Sequence, residues 1–279
     1  MKKILLTIVC FLALEMSVFA ATTTNWNTEA SLKRVNTIGQ KILTSNKLPT
    51  QITFKVSEVD EINAYANANN EIYVYKGLLQ YVQDDTELAA VISHEIGHIV
   101  SAHSAKKSIY STMINYGASQ VTGVNATKTA EIAGDLTKLK MSRKYEYQAD
   151  MAAVDLLIGA GYNPLAMISV LNKICGNYMD IIETHPSGDK RTLNIYDYLS
   201  YNYPATITKT YTSDSYKSFV NYVTPIVAER KTTPSKMKKY EKTQAKYKKE
   251  KLKRIEQMRK SSNPWNTSYT VLQIMSSMN

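Results

Sequence analysis

Residues 89–103 read AAVISHEIGHIVSAH, and no other stretch limits the fold of this chain so sharply. Leu88, Ala89, Val91, Ile92, Ile96 and Ile99 mark a helix set among apolar neighbours. Into it the sequence places His94, Glu95 and His98, side chains that are costly to bury unless something satisfies them. Four residues advance a helix by about 400°, so His94 and His98 stand one above the other while Glu95 lies to the side. Such a pair is either hydrogen-bonded within a core or arranged to hold one tetrahedral metal ion.

HEIGH has the H-E-x-x-H arrangement of zinc proteases, with two imidazole ligands and a glutamate as general base. A catalytic zinc needs a third protein ligand and one open position. The segment SRKYEYQADMAAVDLL, residues 142–157, supplies Glu146 and Asp150 one helical turn apart. A solvated face would continue its charge, yet this one turns at once to Ala149, Ala152, Ala153 and Leu156. Glu146 is therefore the expected third ligand. Asp150 is the expected acceptor of a liganded histidine's free N–H. An exposed carboxylate pair beside Arg143 and Lys144 is the competing reading, and Asp155 is a less well placed ligand. Cys175, beside Leu171 and Ile174, reads as a buried bystander, and His103 falls off the ligand face.

The rest of the chain reads mainly as helices. Residues 28–46 carry Leu32, Val35, Ile38, Ile42 and Leu43 at helical spacing, and 52–58 alternate as a strand. Asn69-Asn70 resembles a hairpin turn before a second strand at 71–75. The metal helix is expected to start with Thr86 as N-cap and to run to about Lys106. Residues 107–140 read as a helical insert, either a lid over the cleft or a hairpin packed on the body. Further helices are expected at 142–158, ended by Gly159 and Gly161, and from Pro164 to Ile174. The segment THPSGDKRTLNIYDYL reads as a loop leading into a helix. The strand at 71–76 is expected to be an edge that pairs with an extended substrate, drawing on Asn63, Ala64, Ile72, Tyr73 and Val74.

The first twenty residues combine Lys2 and Lys3 with an apolar run from Ile4 to Leu14 and small residues near Ala20. They read as a secretory signal peptide, with an uncleaved anchor as the other reading. The expected protein is exported, periplasmic or secreted. Of two cysteines, Cys175 alone would then remain, so no internal disulfide would brace the fold. The formal charge of +10 is concentrated between Arg230 and Lys260, where 14 Lys or Arg face three Glu. That excess exceeds the total, so the body is slightly acidic. The lysine-rich helix at 235–260 reads either as a loosely attached solvated helix or as a face for anionic lipid or an acidic envelope partner. For the latter, Met237, Tyr240, Tyr247, Leu252 and Ile255 would join the contact. Nucleic acid is not an expected partner.

Taken in order, HEIGH, the Glu146-x-x-x-Asp150 pair and HPSGDKR resemble gluzincin metallopeptidase family forty-eight, the group of HtpX and the CAAX prenyl endopeptidases. In layout the chain is similar to its small exported envelope quality-control members. NAYANANNEIYVYKGLL resembles the family's Asn-Ala-Phe-Ala segment, with Tyr65 where a phenylalanine is usual. The resemblance covers roughly residues 30–200, without the insert and without anything past Tyr203. It implies an α+β, predominantly helical, zincin-like fold with a small sheet at the cleft edge. The implied organisation is a leader (1–20), a peptidase domain (21–203) and a basic extension (204–279). It implies one Zn2+ per chain on His94, His98 and Glu146, Glu95 as base and Asp150 behind the ligands. By the same resemblance, His185 lies near the metal as an oxyanion donor or reversible plug, and Arg191 is a structural or oxyanion-side cation. The expected activity is zinc-dependent endopeptidase hydrolysis of unfolded or misassembled envelope proteins. The alternative is a catalytically quiet metal-binding chaperone or assembly factor.

Overall fold

A computed structural model describes residues 26–48, 51–82, 84–101, 143–175 and 188–260. The leader, the 107–140 insert, His103 and His185 lie outside these residues. The first helix, α1 (Thr28–Ser45), is capped by Asn27, whose side chain accepts the Ala30 N–H. Its buried stripe is Val35, Ile38, Ile42 and Leu43. Three strands follow: β1 (Thr53–Ser57), β2 (Ala64–Ala66) and β3 (Glu71–Tyr75). Alternation along β3 buries Ile72 and Val74 and turns Glu71, Tyr73 and Tyr75 outward.

The sheet order is β1-β3-β2, with β1 parallel and β2 antiparallel to β3. This corrects the expectation for the strand at 71–76. Both sides of β3 are occupied, so Ile72, Tyr73 and Val74 belong to a central strand and cannot offer their backbone to a substrate. The outer strand toward the cleft is β2. Tyr75 N–H donates to Asn63 O and Asn67 N–H to Glu71 O, so Asn63, Tyr65 and Asn67 spend their backbone groups on β3. In an antiparallel pair the intervening residues face the other way, which leaves Ala64 and Ala66 as the edge.

After α2 (Lys76–Tyr81) comes α3 (Asp85–Val100), the helix carrying HEIGH. Its N-cap is Asp84 rather than Thr86. The Asp84 carboxylate accepts the N–H groups of Thr86 and Glu87 at 2.6 and 3.2 Å. An acid at this position also complements the positive end of the helix dipole. From Leu88 to Val100 every residue but Val91 is buried. A helix apolar on all sides must lie inside the molecule, and α3 has α1, the sheet and α5 (Leu165–Cys175) around it. The helix at 143–159 (α4) crosses it at Gly97.

Beyond α6 (Gly188–Asn202) and the short α7 (Pro204–Ile207), the chain forms α8 (Asp214–Thr232) and α9 (Pro234–Lys260). The expectation of a loosely attached tail is corrected here. Tyr216, Phe219 and Val223 bury α8 against the body, where α8 packs on α5. Arg230 holds Asp197 of α6 through two hydrogen bonds of 2.6 and 3.1 Å. The ammonium of Lys251 on α9 reaches the buried Asp155 of α4, which also accepts from Tyr198 and Tyr203. Charge spaced along a helix reads as solvated, but one lysine of α9 has a buried partner 96 residues away. No described helix is long and apolar enough to cross a membrane.

Candidate metal centre

Three helices build the site. From α3, His94 and His98 project side by side with their Nε2 atoms 3.1 Å apart. From α4, Glu146 brings Oε2 to 3.3 Å from His94 Nε2 and Oε1 to 3.4 Å from His98 Nε2. All three side chains are buried, Glu146 completely. Among the described residues these three form the group able to hold a metal ion.

The residues fit a zinc ion in three ways. Two imidazoles and a carboxylate are an ordinary donor set for catalytic zinc. Bonds of about 2.0–2.2 Å at a tetrahedral centre hold neighbouring donors roughly 3.3–3.6 Å apart, and the observed separations sit at or just below that range. Three buried carboxyl groups, Glu95, Glu146 and Asp150, also gather here with the Arg191 guanidinium, surroundings that suit a divalent ion.

Asp150, one turn after Glu146, sets its Oδ1 3.0 Å from His94 Nδ1. Arg191 from α6 grips the same carboxylate with Nη2 at 2.6 Å and Nε at 2.8 Å, and places Nη1 3.2 Å from Glu146 Oε2. Burial alone would lower the His94 pKa, but hydrogen bonds to Asp150 and Glu146 outweigh it and push it up to about 9. His98 moves down, because burial exceeds the help it receives from Glu146. Burial would raise the Asp150 carboxyl, yet the charge and hydrogen bonds of Arg191, joined by His94, hold it below the usual carboxylate range.

Glu95 and His94 line a small apolar cleft of about 50 Å³, with Asn63 and Ala64 from the β2 side. Its far wall is Met167, Val170 and Leu171 of α5, which the sequence reading placed on a helix but not at the site. Their apolar run signals a helix without saying which partner it faces. Asp155, weighed as a ligand, instead bonds Tyr198, Tyr203 and Lys251 away from the histidines. Of the expected site residues, the structure thus gathers His94, Glu95, His98, Glu146, Asp150 and Arg191, with Asn63 and Ala64 at the rim. Ile72 and Val74 are core residues and Tyr73 faces outward.

Comparison with known proteins agrees with this geometry. The sequence matches the pattern of peptidase family M48 over residues 29–198. It is 34% identical over 150 residues to the mitochondrial metalloendopeptidase OMA1 of Arabidopsis thaliana, covering 50% of this chain and 30% of that protein. It is 28% identical over 180 residues to the metalloprotease LoiP of Escherichia coli K12, covering 60% of this chain and 70% of LoiP. Identity to the beta-barrel assembly-enhancing protease of the same organism is 25% over 178 residues, or 56% of this chain and 36% of that protein. The chain therefore spans about a third of two of these relatives and more than two thirds of LoiP. A match across more than half the chain that takes in both histidines, Glu95, Glu146, Asp150 and Arg191 settles the kinship: the chain belongs to peptidase family M48.

Proposed function

We propose that this protein is a zinc-dependent metalloendopeptidase that cleaves peptide bonds in unfolded or misassembled polypeptides. The observation that carries the reading is the convergence of two imidazoles and one carboxylate at tetrahedral spacing beside a cleft lined by Glu95. His94, His98 and Glu146 would hold the ion. When bound, zinc polarises a carbonyl and makes a neighbouring water acidic enough to attack near neutral pH.

The chain's own residues supply the rest. The Glu95 carboxylate, about 100° round α3 from His94, takes the proton of the attacking water and delivers it to the leaving amine nitrogen. Asp150 holds His94 through Nδ1, which keeps Nε2 directed at the centre. Arg191 fixes Asp150 and Glu146 in turn. The Ala64 and Ala66 edge of β2 pairs with an extended backbone, a mode that favours unfolded chains over folded ones. An envelope setting is supported by the leader-like first twenty residues and by similarity to a protease named for β-barrel assembly.

The test is casein hydrolysis by the zinc-loaded protein and by Glu95→Gln. The expected result is retained zinc at one per chain with a rate lower by about 10²–10⁴-fold. Equal rates would remove Glu95 from the chemistry. Absence of hydrolysis in the zinc-loaded parent on casein and on denatured envelope proteins would favour the quiet metal-binding chaperone.

A further inference from the structure

The helix α9 lies wholly outside the family match, and its two faces differ sharply. Met237, Tyr240, Gln244, Tyr247 and Lys251 recur every three or four residues and turn toward the body, with Gln244 and Lys251 buried. Tyr240 OH donates to the Asp197 carbonyl and its ring lies under the Arg230 guanidinium, while Lys251 is held by Asp155. These contacts fix the rotation of the helix about its axis.

The opposite face is made of lysine. Lys238, Lys239, Lys242, Lys246, Lys249 and Lys253 are all exposed. At 100° per residue they fall within an arc of about 100° directly opposite Gln244, in a row about 22 Å long. Glu241 and Glu250 fall outside this arc and Glu256 sits at its margin. Among the described residues one ion pair touches the row, Lys246 to Glu250 at 3.8 Å. Packing has separated the charges: on the opposite face Lys251 is inside the protein and Lys248 is half-buried.

We propose that this lysine face is a peripheral docking surface for a membrane rich in anionic lipid headgroups. A straight, convex row of ammonium groups matches a plane of negative charge rather than a pocket, and each lysine near such a plane adds to the attraction. Met237, Tyr240 and Tyr247 are committed to the body, so docking is by charge and α9 does not sink its apolar side into the bilayer. For Met237, Tyr240 and Tyr247 that corrects the contact expected from sequence, whereas Leu252 is exposed. The row holds no arginine, asparagine or glutamine to read base edges, and its tyrosines point inward rather than offering stacking surfaces. Lipid headgroups need neither.

The test uses the full chain, sedimented with vesicles of phosphatidylglycerol in phosphatidylcholine and with phosphatidylcholine alone. Binding is expected to the first and not the second, and to weaken as salt rises. Replacing the six lysines of the row by glutamine should lower the partition coefficient by about tenfold or more without changing the melting temperature. The same charge removed at Lys33, Lys47, Lys144, Lys209, Lys217 and Lys231, all exposed elsewhere, should leave most of the binding. The proposal is overturned if the row variant binds like the parent or if the control variant loses as much. Equal binding to both vesicle types overturns it as well. So does capture of duplex DNA at lower protein concentration than the anionic vesicles require.

Discussion

Gly97 and Ala149 meet backbone to backbone: a Cβ on Gly97 would stand 2.8 Å from the Ala149 carbonyl oxygen and 3.1 Å from its Cα. This contact is where the two ligand helices cross, next to His98 and three residues from His94 on one side, and next to Asp150 and three residues from Glu146 on the other. The glycine of HEIGH is there because α3 and α4 must come this near for an imidazole pair and a carboxylate to share one centre.

Gly97→Ala is therefore expected to cost stability even though alanine is the better helix former by about 1 kcal/mol. Overpacking against backbone costs about 1–3 kcal/mol and should outweigh that gain. Urea denaturation reads the stability and a competing zinc dye reads the affinity. Weaker zinc binding together with lower stability is the expected pair, and an increase in both would show that the helices part without harm to the centre.

Asp150→Asn keeps the shape of the side chain but removes the charge that His94 Nδ1 and Arg191 face. Zinc affinity is expected to fall about 10- to 100-fold while one site per chain survives at saturating metal. Isothermal titration against a chelator separates affinity from stoichiometry. An unchanged affinity would mean that the orientation of His94 is set by packing alone.

Removing the metal should destabilise the fold as well as silence it. A divalent ion present at about 1,000 times its dissociation constant adds about 4 kcal/mol to the folded state. The buried carboxyl groups gathered at the centre make this linkage specific to the site. Dialysis against chelator should lower the melting temperature, and stoichiometric zinc should restore it. A melting temperature indifferent to both would argue against a metal at these residues.

Lys251→Met leaves Asp155 buried with two tyrosine hydroxyls and no cation. Breaking a buried pair from one side costs about 3–5 kcal/mol, whereas replacing both partners by apolar groups costs far less. The double variant Lys251→Met with Asp155→Leu should thus recover much of the stability lost by the single one, as read by urea denaturation. Additive losses would show that the pair is not coupled.

The sequence makes the metal centre readable because its signals are local. His94 and His98 share a face by helical arithmetic, and Glu146 and Asp150 betray their burial by running straight into Ala149, Ala152 and Ala153. The strand order is another matter. Pairing β1 parallel to β3 on one side and β2 antiparallel on the other depends on packing over α1 and α3, and nothing in EIYVY distinguishes a central strand from an edge. The tail was opaque for a similar reason. Lys251 looks like its neighbours Lys249 and Lys253 until Asp155, on a distant helix, is seen beneath it. Asp84, Asp85 and Thr86 are three capable caps in a row, so the pattern alone does not single out Asp84.

Lys251 also shows that ancestry and cohesion draw different borders in this chain. The match to the family ends at residue 198, yet the carboxylate of Asp155, inside that match, is paired with the ammonium of residue 251. A fragment trimmed to the shared region would expose the backs of α4 and α6 and strand an acid in its own interior. In this chain α9 supplies the countercharge to an acid of the family region, which ties the two parts into one packed unit.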